Sequence, residues 1–221
     1  IKQIELTSRC NLTCVYCPHP AMRRTKLDMN MDTFLSAMEW VKYFKAKGTQ
    51  GELSLTGIGE PLLHPAFIPY LLIARNILPT EPIVFSTNGL LLTDDLCSYL
   101  APIKPRIFVS NHRPELAMRG IEAARKYGLL AGVNTAFAHS AINWAGQVNW
   151  YNSAPACVCE FLRSGWGVVL SDGSITTCCM DAEGLGIIGD VKAIPSEHSM
   201  HPYSLCQSCY QSIPEEALLC Q

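Results

Sequence analysis

Three cysteines, Cys10, Cys14 and Cys17, lie within eight residues directly behind a strand-like run over residues 1–7. Three thiolates at this spacing can bind three corners of a cubane iron–sulfur cluster, which takes four ligands when it is closed. A vacant fourth position leaves one iron open to bind and activate another molecule, as the open position of a catalytic zinc does. A zinc site, or three unrelated buried thiols, is the simpler alternative for a short cysteine motif.

Three polar turns follow other strand-like segments. Glycine lets a backbone approach a ligand closely or adopt a positive φ angle, and a carboxylate beside it can receive an ammonium group. Taken alone, each turn is also typical of an ordinary loop before a helix. Their shared position behind strands is what indicates a binding site. The turns are Gly57-Ile58-Gly59-Glu60-Pro61, Ser86-Thr87-Asn88-Gly89 and Ser110-Asn111-His112-Arg113.

The elements that must position these turns alternate along the first two thirds of the chain. Asn30 or Asp32 is the expected cap of the first helix. Alternating strands and helices predict a parallel sheet with crossover helices, and ligands bind at the carboxyl ends of such strands. Helices are predicted over 31–47, 65–76, 94–101 and 114–127, and strands over 2–7, 51–56, 82–86, 106–110 and 129–136, with a sixth short strand around 147–150.

The composition shifts to Cys, Gly and Ser in the last third, which predicts a first domain over 1–150 and a second over 151–221. Residues 167–170 and 174–177 flank Ser171-Asp172-Gly173, a sequence typical of a hairpin turn. Four later thiols can complete a four-thiolate site, either for an iron–sulfur cluster or for a structural zinc. We assign them as Cys159, Cys178, Cys206 and Cys209, with Cys157 and Cys179 as competitors for the first two positions.

The first cysteine motif resembles the signature of the radical S-adenosylmethionine (SAM) enzymes. In that family the amino and carboxylate groups of SAM chelate the open iron, and an electron from the cluster releases a 5′-deoxyadenosyl radical. The turn at Glu60 resembles the family's Gly-Gly-Glu turn, although Ile58 stands where a second glycine is usual. The later cysteines resemble a SPASM/Twitch extension. Since only Cys220 lies beyond Cys209, the one-cluster Twitch form fits better than the two-cluster form.

This resemblance implies a fold, two clusters and a set of site residues. The fold would be a partial (β/α)6 barrel with a small hairpin domain that binds an auxiliary [4Fe–4S] cluster. Cys10, Cys14 and Cys17 would bind the SAM-binding [4Fe–4S] cluster. The SAM contacts would come from Tyr16, Gly57, Gly59, Glu60, Ser86, Asn88 and Ser110. The candidate catalytic side chains are His112, Arg113, His139 and Cys220.

The implied reaction is abstraction of a hydrogen atom from an unactivated C–H bond. The first hypothesis is dehydrogenation of a small molecule such as a sugar or an aminocyclitol, with the auxiliary cluster as electron acceptor. The second is cross-linking or epimerisation of a peptide, in which Cys220 would return a hydrogen atom. A third, from another class, is a zinc-binding module without catalysis. An enzyme of this kind would also need a reductant such as a flavodoxin or a ferredoxin.

Composition limits the remaining possibilities. The 221 residues, 48% of them hydrophobic, suffice for one sizeable core with a small appendage. A net charge of −2, with no basic run longer than Arg23-Arg24, argues against nucleic-acid binding. The sequence contains neither an apolar stretch long enough to span a membrane nor an evident export signal. Eleven cysteines without such a signal favour metal ligation in a reducing cytoplasm over disulfides.

Overall fold

The computed structural model describes residues 1–135, 144–148, 159, 166–193 and 203–209. Its described strands form one sheet in the order β5-β4-β3-β2-β1-β6-β7-β8. The first six positions, from β5 to β6, are parallel, and β7 and β8 continue the sheet antiparallel. The strands are β1 (Gln3–Ile4), β2 (Leu53–Ser54), β3 (Ile83–Thr87), β4 (Arg106–Asn111), β5 (Leu130–Thr135), β6 (Val168–Val169), β7 (Ser174–Thr176) and β8 (Ile187–Asp190).

Four helices connect the first five strands, as the alternating pattern predicted. They are α1 (Met31–Ala46), α2 (Phe67–Ile77), α3 (Asp94–Leu100) and α4 (Pro114–Lys126), each within two residues of its predicted bounds. Asn30, rather than Asp32, caps α1, because its side-chain oxygen accepts a hydrogen bond from Thr33 N at 2.9 Å. The mostly parallel α/β sheet confirms the predicted fold class.

The core lies between the sheet and these helices. Phe34 of α1, Leu71 of α2, Phe85 of β3 and Ile107 of β4 are fully buried in it. Cys97 in α3 is also fully buried, as expected for a cysteine that behaves as a small hydrophobic residue. No helix in the described part of the chain has both the length and the apolarity that crossing a bilayer requires.

The sixth parallel strand differs from the prediction. Gln147 and Val148, the described part of the predicted 147–150 strand, follow a short 3₁₀ helix, Trp144–Gly146, and lie outside any strand. The position beside β1 is instead filled by β6, with Gln3 opposite Val168 and Ile4 opposite Val169. A pair of β-branched residues suits a buried strand position, and the free edge of β1 supplies the partner.

The predicted hairpin is confirmed as β6 and β7. Gly173 N donates to Leu170 O at 2.9 Å, and Gly173 takes a φ of 96°, which explains the glycine at this turn. Because β6 pairs with β1, the hairpin extends the main sheet. The predicted domain boundary near residue 150 lies outside the described residues.

Candidate active site

The cysteines behind β1 and the three polar turns behind β2, β3 and β4 line one cavity of about 440 Å³. The cavity lies at the carboxyl edge of the parallel strands, where such turns meet. Every residue predicted to contact SAM lines it, together with the three N-terminal cysteines and His112. These lining residues are Cys10, Cys14, Tyr16, Cys17, Gly57, Gly59, Glu60, Ser86, Asn88, Ser110 and His112.

The three cysteines lie in a loop over residues 9–28, here called the cysteine loop. Cys17 N donates to Cys14 O at 3.1 Å, which forms a tight turn between the last two cysteines. Burial raises the pKa of Cys10, and it raises the pKa of Cys17 to about 11. Ligation by thiolate would therefore have to displace protons from both groups.

The donor set of this loop fits a cubane cluster with one open position, because three thiols line one wall of a cavity that also holds polar turns. Among the described residues, no three His, Cys, Asp or Glu side chains are already gathered around a single ion position. What points to ligation is therefore the residue type of the three cysteines and the cavity that they share.

Gly57 and Gly59 allow the turn after β2 to pack directly on the cysteine loop and β1. A Cβ atom on Gly57 would lie 2.1 Å from Glu5 Cγ, and one on Gly59 would lie 2.4 Å from Thr7 O. Glu60 N donates to Arg9 O at 2.8 Å across the same contact. The glycines were expected to let the backbone approach a ligand closely. In the structure, at least part of this close approach is a contact with the protein's own residues Glu5, Thr7 and Arg9.

The carboxylate of Glu60 connects two of the turns. The residue is 3% exposed, and its oxygens accept hydrogen bonds from Thr87 Oγ1 at 2.8 Å, Asn88 N at 2.7 Å and Leu62 N at 3.1 Å. Burial raises the pKa of this carboxyl, and the three donors oppose the rise. Asn88 Nδ2 in turn donates to Asn11 Oδ1 at 2.7 Å, which ties the turn after β3 to the cysteine loop.

Tyr16 contacts the end of β4. Its Oη lies 2.7 Å from His112 Nδ1, and the two ring centroids are 5.4 Å apart. Burial, together with the nearby Cys14, raises the pKa of Tyr16 to about 12, so the phenol keeps its proton at neutral pH. The sequence predicted both residues for the site, but it gave no sign of this contact between positions 96 apart.

A buried ion pair beside the cavity was not predicted from the sequence. The guanidinium of Arg24 meets the carboxylate of Glu5 in two hydrogen bonds, of 2.8 and 3.1 Å. Glu5 also accepts hydrogen bonds from Ile58 N at 3.0 Å and from Ser171 Oγ at 2.8 Å. It therefore joins β1, the cysteine loop, the turn after β2 and the hairpin. An acidic residue between Ile4 and Leu6 in a strand was the signal that could have found it.

The C-terminal part of the chain also contributes to the cavity wall. Trp144, Cys179 and Met180 line the cavity, as does Asn134 of β5. Gln147 Nε2 donates to Met180 O at 2.6 Å, which connects the segment around Trp144 to the segment around the double cysteine. Cys179, a competitor for the auxiliary site in the sequence, thus borders the same cavity as the N-terminal cysteines.

The four cysteines assigned to the auxiliary site are half-buried. Burial raises the pKa of Cys178 to about 12, and the nearby Cys209 and Cys159 add to the rise. The pKa of Cys206 is raised by burial and by the nearby Cys159. These effects put Cys159 near both Cys178 and Cys206, and Cys209 near Cys178. Burial raises the pKa of Cys179 too, and Cys159 and Cys209 add to the rise, so the competitor lies near the same thiols.

Asp181, which follows the double cysteine, organises the adjacent loop. Its buried carboxylate accepts from Thr176 Oγ1 and Gly186 N, both at 2.8 Å.

Arg113, a candidate catalytic residue, is exposed at the start of α4 and is not among the described lining of the cavity. The other candidates His139, Cys157 and Cys220 lie outside the described residues.

Comparison with known proteins concerns mainly the N-terminal half of the chain. Residues 4–110 match the family model of the radical SAM superfamily. A tungsten-containing aldehyde ferredoxin oxidoreductase cofactor-modifying protein of Pyrococcus furiosus is 35% identical over 104 residues, which is 45% of this chain and 27% of that protein. A probable GTP 3′,8-cyclase of Methanopyrus kandleri is 31% identical over 144 residues, 58% of this chain and 44% of that protein. The chain thus spans less than half the length of either relative.

Two solved structures share the fold. BtrN in complex with AdoMet and 2-DOIA superposes with a TM-score of 0.73 at 21% identity, over 86% of this chain and 77% of BtrN. The structure of anSMEcpe with bound AdoMet gives a TM-score of 0.62 at 16% identity, over 94% of this chain and 82% of that one. At such identities the likeness concerns the arrangement of helices and strands.

Proposed function

We propose that this protein, whose residues 4–110 match the radical SAM superfamily, is an enzyme that uses SAM to oxidise a small polar molecule by dehydrogenation. The observation that carries the proposal is the single cavity. It brings three cysteines, three polar turns and the imidazole of His112 to one edge of the sheet. The alternatives are modification of a peptide, by cross-linking or epimerisation, and a zinc module without catalysis.

The cofactors would be bound along one wall of the cavity. Cys10, Cys14 and Cys17 would hold a [4Fe–4S] cluster, and the turn ending in Glu60 would receive the amino group of SAM. The remaining SAM contacts would come from the backbone and side chains of Tyr16, Ser86, Asn88 and Ser110. Bound together, the cluster and SAM supply a 5′-deoxyadenosyl radical that removes a hydrogen atom from a C–H bond.

The substrate would lie against the other lining residues. His112, Asn134 and Trp144 offer an imidazole, an amide and an indole at the cavity wall. Such groups suit a hydroxylated ring, because the polar groups hydrogen-bond to its hydroxyls while an indole packs on its C–H face. A sugar or an aminocyclitol has this character. His112 would take up the proton of the hydroxyl that becomes a carbonyl.

Tyr16 supports a proton-exchanging role for His112. A phenol can donate a hydrogen bond to Nδ1, and it can also accept one from Nδ1–H. The 2.7 Å contact is therefore satisfied in either state of the ring, and proton uptake at Nε2 leaves the partner at Nδ1 in place. This is the usual way in which a second group orients a catalytic imidazole.

Cys159, Cys178, Cys206 and Cys209 would hold an auxiliary [4Fe–4S] cluster. The nearby Cys159 and Cys209 add to the rise that burial causes in the pKa of Cys178, which supports the assignment, and they do the same at Cys179, so Cys179 stays a competitor for this position. With four thiolate ligands such a cluster has no open iron, so its role would be to accept an electron. The single electron that the first cluster needs would come from a protein reductant such as a flavodoxin or a ferredoxin.

The first test is metal analysis of protein purified without oxygen. Two four-iron clusters predict about eight iron and eight sulfide per chain. After reduction with dithionite, the protein should convert SAM to 5′-deoxyadenosine. Zinc without sulfide would refute the enzyme and leave the zinc module as the correct reading.

The second test separates the reactions. The protein is incubated with SAM, dithionite and panels of aminocyclitols, sugars and short peptides, and with GTP, the substrate class in the name of one relative. A product two mass units lighter than an aminocyclitol or a sugar supports dehydrogenation. Solvent deuterium in a product of otherwise unchanged composition would show epimerisation, and a cross-linked peptide or a cyclised nucleotide would likewise contradict the proposal.

A further inference from the structure

Gln3 is a polar residue inside the parallel part of the sheet. On β1 it lies opposite Ser54 of β2 and Val168 of β6, and it is only 8% exposed. Successive side chains of a strand point to opposite faces of the sheet. Because Ile4 packs in the core between the sheet and the helices, Gln3 faces the other side, where it lines the cavity. The wall of the cavity therefore includes a carboxamide.

Trp166 fixes which way this carboxamide is turned. Its indole Nε1 donates to Gln3 Oε1 at 3.0 Å. An indole N–H is only a donor, so the amide oxygen, and not the nitrogen, must face it. Trp166 is itself held against β1, because Lys2 N donates to Trp166 O at 3.0 Å and Lys2 Nζ lies 5.5 Å from the centroid of the indole ring. The orientation of the amide is therefore set before any ligand binds.

The nitrogen of the carboxamide is left as a hydrogen-bond donor. Gln3 Nε2 carries two N–H groups and forms no hydrogen bond in the part of the chain that the structure describes. The atom is not fully enclosed by protein, so a molecule in the cavity can reach it. A donor that is largely withdrawn from water is costly when it stays unpaired. An oxygen acceptor of a bound molecule would remove that cost.

The carboxylate of the described cavity wall is already engaged. It belongs to Glu60, whose oxygens accept hydrogen bonds from Thr87 Oγ1, Asn88 N and Leu62 N. A substrate ammonium that leaves water needs acceptors around it. At Gln3 it would instead meet two N–H donors, whose positive ends repel it. The wall at Gln3 thus suits a neutral oxygen group.

We propose that Gln3 is a specificity-determining residue that binds a hydroxyl or carbonyl oxygen of the substrate and disfavours an ammonium at that position. The proposal rests on the proposed function, because it concerns the substrate of the same cavity. It narrows the substrate class from hydroxylated rings in general to neutral sugars and polyols, in preference to their amino derivatives. A buried hydrogen-bonding site discriminates in this way because a mismatched group leaves its donors unpaired.

The test uses the complete protein with its clusters and SAM, and two matched pairs of probes. Glucose and glucosamine differ by one hydroxyl against one ammonium, and so do scyllo-inositol and scyllo-inosamine. Binding is measured by calorimetric titration without a reductant, at a pH at which the amines are protonated. The unmodified protein should bind the neutral member of at least one pair about tenfold or more tightly than the amino member.

Gln3→Glu exchanges the two donors for an acceptor while it keeps an oxygen for the indole of Trp166. The preference should shift toward the amino member by about tenfold or more, because a charged hydrogen bond replaces a repulsive contact. Gln50→Glu is the matched control. Gln50 is exposed, its Nε2 donates to Gly48 O, and it is not among the described lining of the cavity. The same change in charge there should leave the preference unchanged.

Trp166→Phe tests the orientation of the amide without placing a charge in the cavity wall. It keeps an aromatic ring beside Lys2 and removes the N–H that holds Gln3 Oε1. The amide can then turn its oxygen to the ligand, so the discrimination within each pair should largely disappear. Circular dichroism checks that each variant is folded, and this variant keeps the proposal testable if Gln3→Glu does not fold.

The outcomes separate this proposal from the proposed function. Equal affinity for both members of each pair, binding of neither, or a preference that Gln3→Glu and Trp166→Phe leave unchanged would refute the role of Gln3. If the unmodified protein still converts SAM to 5′-deoxyadenosine with dithionite and forms an oxidised product, the proposed function stands in each of these cases. Failure to cleave SAM with dithionite would instead refute the proposed function, whatever the affinities are.

Discussion

Gly59 packs so closely on the cysteine loop that no side chain fits there. A Cβ would lie 2.4 Å from Thr7 O and 2.5 Å from Arg9 O, and backbone atoms of this kind cannot rotate away. We expect Gly59→Ala to lower the free energy of unfolding by about 2–3 kcal/mol. Urea unfolding monitored by circular dichroism measures it. As a control, Gly132→Ala meets only side-chain ring atoms of Phe108, at 3.1 Å and beyond, and should cost less than about 1 kcal/mol.

The ion pair between Glu5 and Arg24 is buried, with side-chain exposures of 2% and 9%. Removing one partner leaves the other charge without compensation, so Glu5→Gln should lower the free energy of unfolding by about 3 kcal/mol. Glu52→Gln breaks an exposed pair with Arg106 and should cost less than about 1 kcal/mol. Urea unfolding measures both losses. Equal losses in the two variants would show that the buried pair stabilises the fold no more than the exposed pair does.

Tyr16→Phe keeps the aromatic ring and removes only the hydroxyl that contacts His112. If that contact orients the imidazole, oxidised product should fall about tenfold while SAM cleavage continues. The measurement is the ratio of 5′-deoxyadenosine to product. Tyr70→Phe removes a hydroxyl that donates to Met29 O within the core, and its ratio should stay that of the unmodified protein. A Tyr16→Phe protein with an unchanged ratio would contradict the role.

The site residues that the sequence revealed are those whose chemistry is local. Cysteine spacing and the Gly59-Glu60 turn are visible in any short window, and their position behind strands follows from the alternating pattern. The contacts between Glu5 and Arg24, and between Tyr16 and His112, join positions 19 and 96 residues apart. Nothing in a local pattern specifies such pairs, because they depend on how the strands are ordered in the sheet.

At the scale of the element, the β6–β7 hairpin depends on its turn. Gly173 has a φ of +96°, and a Cβ there would lie 3.2 Å from side-chain atoms of Thr33 and Val191. Gly173→Val should therefore introduce both backbone strain and steric crowding, and should lower the free energy of unfolding by about 2–3 kcal/mol. Gly48→Val has a similar φ of +95° but open space, so its loss reports the strain alone. Urea unfolding measures both variants. Equal losses of free energy would show that steric crowding at Gly173 contributes nothing beyond the backbone strain.

The helices were predicted well because apolar periodicity and capping are properties of a short segment. The sixth strand was not, because Val168 and Val169 are a strand only as partners of Gln3 and Ile4. A two-residue strand has no periodicity of its own to detect. Its position follows from the edge that β1 leaves open, which only the assembled sheet defines.

At the scale of the whole molecule, the two groups of cysteines should behave as separate sites. Cys14→Ala should abolish SAM cleavage and remove about half of the iron, because the auxiliary ligands remain. Cys178→Ala should remove a similar share of iron and stop formation of oxidised product, while SAM cleavage persists. Iron analysis and chromatography of 5′-deoxyadenosine measure both. A Cys14→Ala protein that still produces 5′-deoxyadenosine would show that the assignment of ligands is wrong.

The pairing of β6 with β1 has a consequence for biosynthesis. The strand before the cysteine loop acquires its second neighbour from Val168–Val169, and Glu5 acquires Ser171 from the same segment. On the ribosome, the loop therefore emerges long before the scaffold beside it exists, since contacts between distant segments form late. A cluster assembled on Cys10, Cys14 and Cys17 would therefore gain its full support only once residues 168–171 have emerged and paired with β1.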